Sequence, residues 1–160
     1  AEMVGYGSTC DHSHLVRPEV GGQVRAIRSA MRQAGLQAGD VDYVNAHGTA
    51  TLEGDPVEVA ALREVFGSHA AGLPVSATKS MHGHLLGAAG AIEALVTVLA
   101  VARQAVPPTA HLAGRLDPAC EGLDHVLEGR ERVPVRAALS NSFAFGGSNA
   151  VLAFRSILPH

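Results

Sequence analysis

The most constraining feature of this chain is a set of polar, protonatable residues placed directly ahead of a long apolar stretch. Ser76-Ala77-Thr78-Lys79-Ser80-Met81-His82-Gly83-His84 is followed at once by residues 86–102, which are almost wholly apolar. The order reads as strand, loop, helix. Pro74-Val75-Ser76-Ala77 is a short strand, residues 79–84 turn the chain, and residues 86–102 form a helix. That helix lacks a polar face, so it is expected to be buried. Glu93 and Thr97 interrupt it and small residues dominate its first turn, so a membrane span is not expected. Polar groups at the start of a buried helix cost roughly 2–7 kcal/mol each unless they are paired or used. This junction is therefore the first place to expect chemistry.

The rest of the chain alternates strands and helices. Residues 2–8 read as a strand and Thr9 to His14 as a polar loop. From Pro18 the spacing of Val20, Val24, Ile27, Met31 and Ala34 predicts a helix that ends at Gly35. Residues 41–46 form a strand and 47–51 the loop at its end. Asp55 as N-cap and Pro56 at the first helical position open a helix that runs to Gly67. Pro107 and Pro108 begin a long irregular connection. Short strands at 125–127 and 135–143, a turn at Gly146-Gly147 and a strand at 149–154 complete an α/β layered domain with a mixed sheet.

Composition removes several functions. The net charge is −3 and no Lys/Arg cluster occurs, so nucleic acid has no electrostatic footprint. Two cysteines, Cys10 and Cys120, make no CxxC pair, so a reduced cytoplasmic setting is expected. No basic segment precedes an apolar one at Ala1-Glu2-Met3-Val4, so a secretory leader is not expected. Aromatics are 4% of residues, which favours tightly apposed layers over an open aromatic pocket.

Three polar loops, at 47–51, 79–84 and 141–147, sit at strand ends, where sites form in layered α/β domains. Their convergence brings His47 and His84 into one pocket as two neutral N–H donors for a developing enolate oxygen. Lys79 and Glu58 are expected to pair. Gly146 and Gly147 let backbone N–H groups approach an oxyanion. Residue type alone leaves other readings open. A histidine ending a strand serves as a satisfied structural side chain in many folds, and Lys79 as a solvated charge. Asp55 serves as a cap, and Thr49 and Thr51 bond their own turn. His82 and His84 with His12 or His14 lack a carboxylate or thiolate at ligand spacing, so no metal is expected.

Four motifs then become specific: Asn45-Ala46-His47-Gly48-Thr49, Gly54-Asp55-Pro56-Val57-Glu58, Lys79-Ser80-Met81-His82-Gly83-His84 with Gly87-Ala88-Ala89-Gly90, and Asn141-Ser142-Phe143-Ala144-Phe145-Gly146-Gly147-Ser148-Asn149. Taken in order, they resemble the C-terminal half of a β-ketoacyl-acyl carrier protein synthase, an elongating ketosynthase of the thiolase superfamily, from about Ala1 to Phe154. The resemblance implies one domain over 1–160, the C-terminal half of the layered α-β-α-β-α thiolase-like fold with one buried Ala-rich helix. It implies that His47 and His84 hold the malonyl carbonyl during loss of carbon dioxide, that Lys79 orders the site and that Glu58 is its acidic partner. It assigns Thr49 and Thr51 to the phosphopantetheine arm. Phe145, with Phe143 beside it, becomes the gate whose N–H helps form the oxyanion hole. His82 stands where Thr is common and Ala144 where Gly is common. The nucleophilic Cys of such enzymes lies in an N-terminal half, and neither Cys10 nor Cys120 matches it.

The implied function is decarboxylative condensation of malonyl-acyl carrier protein with an acyl thioester. It needs no cofactor of its own, because the arm arrives on acyl carrier protein. The implied partners are that carrier and a Cys-bearing N-terminal half, assembled as a dimer, with no nucleic acid and no membrane. The alternatives are a malonyl decarboxylase, a chain-length subunit, or a non-catalytic carrier-binding module.

Overall fold

The computed structural model describes residues 1–112 and 114–157. Gly7 shows why the first strand is so rich in small residues. Strand β1 (Glu2–Cys10) and helix α1 (Val20–Ala34) approach so closely that a Cβ on Gly7 would lie 2.0 Å from the Ala26 carbonyl oxygen. Any side chain there lifts the helix off the sheet. On α1 the expected stripe faces inward, with Val24, Ile27, Met31 and Ala34 buried, and Gly35 ends the helix in the left-handed region. β1 runs two residues further than expected, because Thr9 and Cys10 still pair with Asn149 and Ser148.

The chain continues through β2 (Tyr43–Asn45), α2 (Gly54–Phe66), β3 (Pro74–Ser76) and α3 (Lys79–His82), then a 3-10 turn at Leu86–Ala88 and α4 (Ala89–Arg103). After these come β4 (Ala105–Val106), β5 (Asp124–His125), β6 (Arg130–Glu131), β7 (Ala137–Ala144) and β8 (Ser148–Arg155). Residues 79–82, expected as loop, are one helical turn. Six strands form a sheet in the order β1-β8-β7-β2-β3-β5. β8 is antiparallel to both β1 and β7, while β7, β2, β3 and β5 pair in parallel, giving the expected mixed sheet. β4 and β6 make a separate antiparallel pair within what reads in the sequence as irregular connection.

Strand alternation sorts the core into two layers. Val44, Val75, Leu139, Val151 and Ala153 pack with α1 and α2 on one face, and Tyr43, Ala138 and Phe154 with α4 on the other. The buried residues of α4 are Ala89, Glu93, Thr97, Ala100 and Val101, so the expected burial is met on that face. The opposite side is open: Leu95 is 52% and Leu99 39% exposed. Contrary to the sequence expectation, Leu86–Arg103 is long and apolar enough to cross a membrane, with mean hydropathy 1.7 over 18 residues. What places α4 in this fold is the sheet beneath it and the buried Glu93 carboxylate.

The entry to α2 also differs from expectation. The helix starts at Gly54, so Asp55 is not its cap and Pro56 lies inside the first turn. Asp55 Oδ1 instead accepts the Thr49 N–H at 3.1 Å, and Thr51 Oγ1 accepts the Gly54 N–H at 3.2 Å. These bonds tie the 47–51 loop to the helix start.

Candidate active site

Because β2, β3 and β7 are parallel neighbours, their carboxyl ends open at one edge, and the polar loops meet there. His47 leaves β2 after two residues, His84 follows α3, and Phe143 sits near the end of β7. The His47 and His84 ring centroids are 5.7 Å apart with the rings nearly perpendicular, and the Phe143 ring is 5.9 Å from His47. The two imidazoles are together, with the buried Phe143 ring against His47, while the cavity at this edge is lined by His84 and not by His47.

Hydrogen bonding fixes where their protons lie. Lys79 Nζ donates to the His47 carbonyl and lies 3.2 Å from His47 Nδ1. An ammonium only donates, so Nδ1 accepts and the His47 proton is on Nε2. Burial, then the charges of Lys79 and His84, lower the His47 pKa to about 3, so this imidazole is neutral. His84 Nδ1 accepts the Leu86 N–H at 3.1 Å, which directs its proton to Nε2 as well. Each ring therefore keeps an Nε2–H donor that its own anchoring contact does not use.

The expected Lys79–Glu58 pair is not formed. Lys79 is paired with Glu93 of α4, and both side chains are nearly inaccessible. Burial pushes the Glu93 carboxyl up, and the Lys79 contact works against that. Glu58 has another task. Its two oxygens accept the His47 and Gly48 N–H groups at 2.9 and 3.0 Å, and Oε1 also accepts from Asn141 Nδ2 at 3.0 Å. It thus fixes the backbone that carries His47 and ties it to β7. Glu93 was missed as a site residue because it stands in an apolar run. The available signal was helical phase: Ala89, Glu93, Thr97 and Val101 recur every four residues on the face turned to the sheet.

The β7–β8 hairpin carries Phe145, 78% exposed, and Gly146 and Gly147 at φ 78° and 74°. A Cβ on Gly147 would meet the Asp11 carbonyl oxygen at 2.5 Å. The Gly146 N–H is held by the Leu15 carbonyl at 2.7 Å, so it does not serve as the expected oxyanion donor in this conformation. Asp11 N–H and Asn149 Nδ2 both donate to the Gly147 carbonyl, lacing the hairpin to the 10–15 segment.

Thr49 and Thr51, with hydroxyls 3.1 Å apart, line a cavity of about 590 Å³ that also includes Lys79, His84, Arg115 and Cys120. Burial pushes the Cys120 thiol up to about 11. Cys10 is exposed, and its Sγ lies 3.3 Å from the Gly146 carbonyl oxygen. Among the described residues neither thiol hydrogen-bonds to an imidazole. No group of three His, Cys, Asp or Glu side chains among them is placed to hold a metal ion.

The profile of the family described as beta-ketoacyl synthase, C-terminal domain, matches residues 1–113. The chain belongs to that family. The chain is 48% identical over 156 residues to 3-oxoacyl-[acyl-carrier-protein] synthase 2 of Synechocystis sp., covering 96% of this chain and 37% of the relative. It is 47% identical to nodulation protein E of Rhizobium sp. (strain N33), covering 98% of this chain and 39% of that protein. Among solved structures, the ishigamide ketosynthase/chain length factor superposes with a TM-score of 0.93 at 40% identity, over 99% of this chain and 38% of that one. A beta-ketoacyl synthase from Burkholderia phymatum superposes at 0.90 and 39% identity, over 98% and 37%. The thiolase-like fold is thereby established, and the chain spans under two-fifths of the length of these relatives.

Proposed function

We propose that this chain supplies the malonyl-activating part of a ketosynthase site, which catalyses decarboxylative Claisen condensation of malonyl-acyl carrier protein with an acyl thioester. The observation that carries the reading is the pair of imidazoles 5.7 Å apart, each with Nδ1 occupied by a donor and Nε2–H left over. Two such donors on one thioester carbonyl oxygen stabilise the enolate formed as carbon dioxide leaves. The resulting carbanion attacks the acyl group held on a cysteine from a companion segment, and that thiolate departs. Thr49 and Thr51 guide the phosphopantetheine arm, and Phe145 gates the entry.

The companion segment packs on the open face of α4, around Leu95 and Leu99. The length that relatives have beyond this chain supports it. Acyl carrier protein is the substrate carrier, and one similar solved structure is a type II polyketide acyl-carrier protein in complex with its ketosynthase. A dimeric, cytoplasmic assembly belongs to the same reading.

The test is carbon dioxide release from malonyl-carrier protein by this chain assembled with its companion. His47→Ala and His84→Ala are each expected to lower the rate by about 10²–10³, the effect of removing one oxyanion donor. A loss below roughly tenfold in either contradicts the role. Condensation that never appears when the companion cysteine is present leaves decarboxylation or chain-length control as the function.

A further inference from the structure

We propose that His82 is a positioning residue whose doubly protonated ring holds the hydrogen-bond chain leading to Glu93, Lys79 and His47. This role rests on the proposed ketosynthase function. His82 closes α3, with Nδ1 2.8 Å from the Gly83 carbonyl oxygen and Nε2 3.2 Å from the Thr78 hydroxyl. A carbonyl only accepts, so Nδ1 carries a hydrogen.

The second contact is decided one bond further in. Asn45 Nδ2 donates to the Glu93 carbonyl at 3.3 Å, which turns Asn45 Oδ1 toward Thr78, and the Thr78 hydroxyl donates to it at 3.3 Å. A hydroxyl has a single hydrogen. With that hydrogen committed to Asn45, Thr78 Oγ1 accepts from His82, so Nε2 is protonated too. A ring protonated on both nitrogens is an imidazolium.

A neutral ring breaks this arrangement. With its one hydrogen on Nδ1, it takes the Thr78 hydroxyl hydrogen and leaves Asn45 Oδ1 without a donor. Asn45 and Thr78 are both fully buried, so water does not replace the lost bond. The chain runs onward through residues the site depends on. The Glu93 carbonyl also accepts the Thr97 hydroxyl at 2.7 Å, the Glu93 carboxylate pairs with Lys79, and Lys79 holds His47 Nδ1. Lys79 lies on the same helical turn as His82 and His84 two residues beyond it, and Glu93 on α4 interacts electrostatically with His82. Glu93 is the attractive partner. His82 acts only through these neighbours, and the proposal gives it no contact with substrate.

The experiment uses the assembled particle labelled with ¹⁵N in its histidine rings. Long-range ¹H–¹⁵N spectra count the protonated nitrogens of His82, assigned by comparison with His82→Gln. Decarboxylation of malonyl-carrier protein is followed over the active pH range. Two protonated nitrogens are expected where the rate is highest. His82→Gln and His82→Thr are expected to lower kcat about tenfold with KM unchanged. A singly protonated His82 at the rate maximum of an active particle overturns this role alone, as do variants whose kcat matches that of the parent. Absence of decarboxylation in the unsubstituted particle, with His82 doubly protonated, overturns the proposed function and this role with it. Should a variant fail to assemble, the spectrum of the unsubstituted particle decides.

Discussion

His47 is a ring whose protonation state is set by burial and by the charges of Lys79 and His84. Its pKa is lowered from 6.5 to about 3, which gives a stability signature. Above pH 6.5 the ring is neutral in both folded and unfolded chains and contributes no pH dependence. Between about 6.5 and about 3 the unfolded chain binds a proton that the folded one refuses, so stability falls as pH is lowered. The slope from this group approaches about 1.4 kcal/mol per pH unit, and urea melts of His47→Gln are expected to be flatter there by that amount. Lys79→Met leaves Glu93 buried and unpaired, at a cost of about 3–5 kcal/mol near neutral pH. Burial already raises the Glu93 pKa, and losing Lys79 raises it further. The folded variant then binds a proton more tightly than its unfolded form, so its deficit shrinks as pH falls. Melts showing a deficit that grows in acid contradict the assignment.

At the scale of elements, α4 is the part whose surroundings matter most. Its sheet-facing side buries a carboxylate and a threonine, while its outer side shows leucines. Leu95→Ser with Leu99→Ser is expected to reduce self-association of the isolated chain in light scattering and to weaken docking of the companion segment at least tenfold. A monodisperse parent chain, with companion binding untouched by the substitutions, contradicts this. The same helix shows what was legible in advance. The strand-loop-helix order, the α1 stripe ending at Gly35 and the meeting of His47 with His84 all follow from local patterns and motif order. The Lys79 partner did not, because hydropathy treats Glu93 as a flaw in an apolar run. Only its helical phase relative to Thr97, together with the fold-back of α4 onto the sheet, brings it to Lys79. Glu58 stood out as an acid by motif, yet its bonds to backbone N–H groups depend on how the 47–51 loop closes. The β4–β6 ladder was hidden for a similar reason, since two-residue strands carry no period.

For the whole molecule, one sheet with α1 and α2 on one face and α4 on the other presents the edge that holds the two imidazoles together with an open apolar side of α4. Relatives of more than twice this length share the fold at TM-scores of 0.90 and above over nearly all of this chain. Under the proposed function the chain holds the imidazole pair and a companion brings the sulfur, so the two imidazoles must act as one unit on a single oxygen. The measurement that tests this most directly is a double-mutant cycle on malonyl-carrier protein decarboxylation by the assembled particle, comparing His47→Ala, His84→Ala and the combination. Each single change is expected to cost about 10²–10³, and the double variant to be little slower than the worse single one. Losses that multiply in the double variant, or a single variant that keeps near-parent activity, contradict joint action of the two rings.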